Sequence, residues 1–208
     1  MIPLFVDMTG RKVAVFGAGP VGLRKANYFA QEAHVTVIGL DFAEGFDTRI
    51  DLVKADISDK MSRWVEWADL VVAATNDHVL NGRIAAEALT RGRPCNRADG
   101  VSTFLIPSVV ERNGYAIAIS TMGRSPGMSK YLRLKLEREL GAEYDLMVRL
   151  QEEVREAAKA RMSSQTEREA FLWEVMEDEV VWNLLLDDYE GARAIALARL
   201  VNRDGLDH

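Results

Sequence analysis

One cysteine, Cys95, occurs in 208 residues. A single thiol closes no internal disulfide and supplies no cysteine cluster for zinc or an iron–sulfur centre. Histidine is nearly as scarce, with His34, His78 and His208 the full set. None has a clear partner, and none stands at the spacing of a metal-ligand motif or a Ser–His–Asp arrangement. Nucleophilic hydrolysis and a resident metal are therefore not expected. No apolar run reaches the ~20 residues of a membrane span. The start, Met1-Ile-Pro-Leu-Phe-Val-Asp7, lacks a basic flank and meets an acid too soon for a secretory signal. Repeats and low-complexity tracts are missing as well. Basic residues are the minority, 26 against 32 acidic, and the net charge of −6 argues against wholesale nucleic-acid binding. These absences predict a reducing, cytoplasmic location with no membrane or nucleic-acid partner.

What is present begins with Gly17-Ala-Gly19-Pro20-Val21-Gly22, a complete G-x-G-x-x-G. It follows the β-branched run Val13-Ala-Val-Phe16 and opens into an amphipathic stretch from Pro20 to Glu32. That strand, tight turn and helix N-terminus form the seat of a dinucleotide pyrophosphate. The first glycine permits the turn, the second admits the phosphates, and the third lets helix pack on strand. Further strands are read at Val35–Ile38, Asp51–Ala55 and Leu70–Thr75, with a helix over Val79–Arg91. Alternation of this kind implies a parallel, Rossmann-like α/β sheet whose ligands lie beyond the carboxyl ends of its strands. The Gly17–Gly22 turn, Thr75-Asn-Asp77 and Asn96-Arg-Ala-Asp99, the last read as a loop, should border one cleft.

The pattern changes near residue 113. Tyr115–Ser120 reads as a strand, and Gly123-Arg-Ser-Pro126 as a turn into a helix capped by Ser125. So short an α+β segment cannot bury its own apolar face and must dock on the first domain or a partner subunit. From Ala142 onward the chain reads as helices, one starting at the capping box Ser164-Gln-Thr-Glu167. Trp173 and Trp182 are assigned to the core or an interface of that bundle. The predicted organisation is a Rossmann-like domain over 1–112, a small α+β segment over 113–140 and a helical domain over 141–208.

The candidate cofactor residues are Gly17, Gly19, Pro20, Val21, Gly22, Asp41, Thr75 and Asn76. Asp41, at the end of the second strand, would accept the adenosine ribose hydroxyls and repel a 2′-phosphate, favouring NAD over NADP; a capping or solvated aspartate fits equally. Thr75 and Asn76 can bond a ribose or phosphate, while Asn76 or Asp77 can equally cap the next helix. Asp99 is the leading acid–base candidate, although its position also suits a turn. Basic residues recur near the proposed cleft and the Ser125 helix: Arg24, Lys25, Arg91, Arg93, Arg97, Arg124, Lys130 and Arg133. In so acidic a chain they suit a polycarboxylate better than nucleic acid.

Six segments taken in order resemble one family: Pro3–Asp7, Gly17–Lys25, Ala73–Asp77, Cys95–Asp99, Phe104–Pro107 and Ser120–Pro126. The chain is similar to precorrin-2 dehydrogenase, the dehydrogenase–ferrochelatase part of siroheme synthase. The resemblance implies oxidation of precorrin-2 to sirohydrochlorin, with NAD accepting hydride and one carboxylate near the cleft serving as base. It places the family's essential aspartate at Asp99. The candidate substrate contacts are Arg24, Lys25, Asn96, Arg97, Ser125 and Lys130, of which the resemblance places Ser125 in the family's Gly-x-Ser-Pro turn near the tetrapyrrole site; no protein-bound metal is expected. The resemblance leaves open whether ferrous iron is also inserted. It further implies a homodimer intertwined through residues 113–140. Gly22 stands where many relatives carry alanine, and Arg97 where the residue is often apolar. The competing reading is a non-catalytic NAD-sensing domain with a helical partner-binding tail.

Overall fold

A computed structural model describes residues 1–204, with side chains as far as Val201; His208 lies outside the described residues. The chain divides into two compact units, Met1–Ile106 and a second beginning at Pro107.

In the first unit, strands β1 (Lys12–Phe16), β2 (His34–Gly39), β3 (Asp51–Lys54), β4 (Leu70–Ala73) and β5 (Cys95–Arg97) pair in parallel, in the order β3-β2-β1-β4-β5. Helices α1 (Pro20–Phe29), α2 (Ile57–Trp67) and α3 (His78–Thr90) cover it. Both faces are buried, which is why β1 is apolar from Val13 to Phe16 and β4 from Leu70 to Ala73. Val13, Val15, Val37 and Val72 form one core with Ala26 and Phe29 of α1. Ala14, Phe16, Ile38 and Val71 form the other with Val65 of α2 and Ile84 of α3. Strand order reverses at β1, with β2 on one side and β4 on the other. A doubly wound sheet binds its ligand at the carboxyl ends beside such a reversal.

Two elements of this unit differ from the sequence reading. Helix α2 fills 57–67, which no assignment covered; Asp56 caps it by accepting from the Ser58 N–H at 2.8 Å. Residues 95–97, read as part of a loop, are the edge strand β5, held on β4 by the pairs Val71–Cys95, Val72–Asn96 and Ala73–Arg97. Three residues are too few to show a period of two.

The second unit opens with an antiparallel hairpin of β6 (Ser108–Glu111) and β7 (Ala116–Ile119), on which α4 (Pro126–Glu139) packs. Ser125 caps α4, accepting from the Met128 N–H at 3.2 Å, and Pro126 occupies its first turn. Helices α5 (Ala142–Lys159), α6 (Gln165–Met176), α7 (Glu179–Leu184) and α8 (Tyr189–Asp204) enclose a core of Leu150, Val154, Phe171, Val175, Leu185 and Leu200. Ser164 caps α6 as its capping-box form predicts. Trp182 packs against that core, donating its indole N–H to the Met176 carbonyl at 2.6 Å. Trp173, assigned to the core or an interface, lies outside the core: it is 61% exposed, on a turn of α6 that faces away from Phe171 and Val175. No helix among the described residues is long and apolar enough to cross a membrane.

Two outcomes follow for stability and reactivity. A Cβ at Gly22 would lie 1.9 Å from the Gly17 carbonyl oxygen, whereas one at Gly19 would meet nothing within 4 Å. Gly22→Ala is expected to cost about 1–3 kcal/mol through overpacking and Gly19→Ala almost nothing; equal thermal midpoints for the two variants would refute this. Burial pushes the Cys95 thiol up to about 11, against the pull of Arg97 and Lys25. The folded protein should therefore resist a thiol-disulfide reagent at mildly alkaline pH and consume one equivalent per chain once denatured.

Candidate functional site

Phe16 ends β1, and Gly17 turns the chain with φ +105°, its N–H donating to the Ile38 carbonyl at 2.9 Å. A side chain there would strike the Ala74 carbonyl oxygen at 2.4 Å, so the turn lies directly against the segment leaving β4. Gly22 is equally constrained by Gly17, which makes it no simple stand-in for alanine. Gly19 differs, because nothing in the protein crowds it. It is the N-cap of α1 but offers no side-chain cap, and the first turn of α1 holds no acid. The N–H groups of Val21 and Gly22 find no acceptor among the described residues. Open space above Gly19 and two unclaimed amides at a helix N-terminus fit a pyrophosphate. Asp41, two residues beyond β2, is exposed and makes no hydrogen bond among the described residues. Its carboxylate is free for a ribose.

Beyond β4, Thr75 is held by Asn81 of α3. The Asn81 carboxamide accepts from the Thr75 N–H at 3.0 Å and hydroxyl at 2.7 Å, and donates to its carbonyl at 3.0 Å. Asn81 is fully buried, and sequence reasoning missed it. Asp77 caps α3 by accepting from Val79 and Leu80, which leaves Asn76 exposed and unbonded.

Asp99 follows β5, its side chain only 11% exposed. Its Oδ1 accepts from Arg97 Nε at 3.1 Å, and its Oδ2 lies 2.5 Å from His78 Nδ1. The Arg97 guanidinium holds the carboxyl well below the usual carboxylate range against the effect of burial, with smaller help from Asn81 and His78. An ionised carboxylate only accepts, so the Nδ1 of His78 carries the proton. His78 therefore has a partner, contrary to the sequence reading. A contact between positions 78 and 99 exists only once β4 and β5 are paired.

The remaining predicted contacts differ in what they leave free. Lys25 Nζ donates to Asn96 Oδ1 at 2.5 Å, and Asn96 Nδ2 donates to the Phe104 carbonyl at 2.9 Å. Burial, then the charge of Arg24, lowers the Lys25 pKa. Both side chains are thus bonded within the unit, and Arg97 is committed to Asp99. Arg24 stays exposed at the start of α1. Arg91 and Arg93 do not border the cleft. They pair with Glu66, Glu87 and Asp69 at the amino end of β4, the opposite edge of the sheet. Ser125 and Lys130 belong to the second unit, where Ser125 is spent on its cap and Lys130 is exposed.

Residues 4–108 match the NAD_binding_7 family, described as "Putative NAD(P)-binding". Over 206 residues the chain is 39% identical to a precorrin-2 dehydrogenase of Methanosarcina barkeri, covering 95% of this chain and 92% of that one. A siroheme synthase of Methylobacillus flagellatus is 29% identical over 218 residues; the match takes in all of this chain and 45% of the synthase. The solved structure of "SirC, precorrin-2 dehydrogenase" superimposes with a TM-score of 0.71 at 23% identity, covering 97% of this chain and 100% of that one, and so shares the fold. With an NAD(P)-binding match over half its length and that relative over nearly all of it, this chain belongs to the precorrin-2 dehydrogenase family.

Proposed function

We propose that the protein oxidises precorrin-2 to sirohydrochlorin with NAD. The observation that carries this reading is structural continuity between cofactor seat and acid–base group. The Lys25–Asn96 hydrogen bond ties α1, behind the glycine turn, to β5, which delivers Asp99. A bound nicotinamide supplies the hydride acceptor. The protein's own residues hold the pyrophosphate at Val21 and Gly22, offer Asp41 to the ribose, and keep an ionised Asp99 bonded to His78 for proton transfer. Asp41 repels a 2′-phosphate, which selects NAD over NADP. Arg24, Lys25 and Arg97 are the cationic contacts of this reading and Asn96 a neutral one; Ser125 and Lys130 are further proposed contacts for substrate carboxylates.

A homodimer is part of the same reading. Helix α4 packs one side on β6 and β7, yet Met128, Tyr131 and Leu134 are 45%, 56% and 42% exposed. Only Ser129 of that helix is buried, so a second copy would cover what the hairpin does not. This assigns residues 113–140 to dimerisation.

Asp99→Ala should abolish NADH formation from precorrin-2 under anaerobic conditions while NAD still binds. Turnover close to wild type would remove Asp99 from the reaction, and a wild-type protein that binds NAD without turnover would favour a nucleotide sensor. Ferrous iron added after the oxidation tests chelation: siroheme forming no faster than without protein marks a dehydrogenase only. For the dimer, Tyr131→Glu with Leu134→Glu should halve the mass measured by light scattering and leave the helical content intact. A wild-type monomer would overturn the assignment.

A further inference from the structure

The arrangement around Asp99 makes it a poor acceptor for the substrate proton. Each of its oxygens already has a donor, Arg97 Nε on Oδ1 and His78 Nδ1 on Oδ2. A carboxylate held ionised by a guanidinium is a weak base, whereas a general base works best with a pKa near the working pH. His78 offers what Asp99 lacks. It is the first residue of α3, 81% exposed, and its Nε2 makes no hydrogen bond among the described residues. It stands four residues past Ala74, where the Gly17 turn abuts the end of β4. With Nδ1 protonated and bonded to Asp99, the lone pair lies on Nε2, on the exposed part of the ring.

We propose that His78 takes the proton shed by the macrocycle, while Asp99 acts through it as a positioning residue. The inference rests on the dehydrogenase reading and deepens it. A C–H bond of precorrin-2 breaks and its electron pair leaves as hydride to the nicotinamide oxidant. A second hydrogen then leaves as a proton to Nε2, and its bonding pair remains in the macrocycle as the new double bond. The imidazolium passes that proton to water, which restores the neutral ring. Asp99 fixes the tautomer and faces the positive charge as it forms, in the manner of the carboxylate in a catalytic triad. Arg97 from β5 donates to Asp99 Oδ1, and Asp77 caps α3 beside His78.

The test measures anaerobic NADH formation from precorrin-2 in the full-length protein. His78→Ala is expected to lower turnover about 10²- to 10⁴-fold with NAD binding unchanged. Added imidazole should restore part of the rate in proportion to its neutral fraction. Asp99→Asn should show a loss of similar size, and the double variant should be no slower than the worse single one. His78→Ala retaining most of its turnover overturns the proposal, as does a slow variant that gains nothing from imidazole. Should wild type form no NADH, the dehydrogenase reading itself fails, and that outcome is separate from a wild type that turns over alongside an equally fast His78→Ala.

Discussion

Two backbones approach closely where β1 turns into α1, and the rest of the site is placed by that approach. Gly17 lies so near the Ala74 carbonyl that no side chain fits between them, and its own carbonyl leaves no room for one at Gly22. The turn is wedged between its helix and the end of β4. Its geometry leaves the amides of Val21 and Gly22 unclaimed, and it sets Gly17 against Ala74 and Thr75 at the end of β4. A second tie, Lys25 to Asn96, carries the same helix across to β5. Cofactor seat, imidazole and carboxylate are thus set by one backbone contact and one side-chain bond.

Much of this was legible before any coordinates. The glycine spacing marked the turn, alternating apolar segments marked the parallel sheet, and Ser125 and Ser164 announced their helices. Helix α2 was also written in the chain, since Ile57, Met61, Trp64 and Val65 recur at helical spacing; the polar residues between them hid it. Strand β5 was not legible, because an edge strand of three residues carries no period. The site divided along the same line. Residues whose role depends on local geometry, such as Gly17 or the cap Asp77, could be found from spacing. His78 with Asp99, and Asn81 with Thr75 across a helical turn, could not. The first pair is set by strand register. The second depends on burial, since an asparagine six residues from a threonine is commonplace until both leave water. Arg91 and Arg93 mark the reverse error: charge clustered in sequence lies at the wrong end of the sheet.

Positive charge in the first unit is largely spent on internal work. Arg97 stabilises the ionised Asp99, and Lys25 is desolvated and bonded to Asn96. Arg24 is the predicted contact that remains unoccupied there. In the second unit, Met128, Tyr131 and Leu134 of α4 stay open to water.

Cys95 is the sole thiol, and it lies buried in the sheet with its reactivity suppressed. To any reagent in solution the folded protein is effectively cysteine-free. A cysteine introduced on an exposed position, such as Trp173 on α6, would therefore be a unique chemical handle, with no background mutation needed to silence the native residue. Fluorophores or spin labels attached there would report on one chosen face, in a protein whose catalytic groups carry no sulfur to be modified by accident.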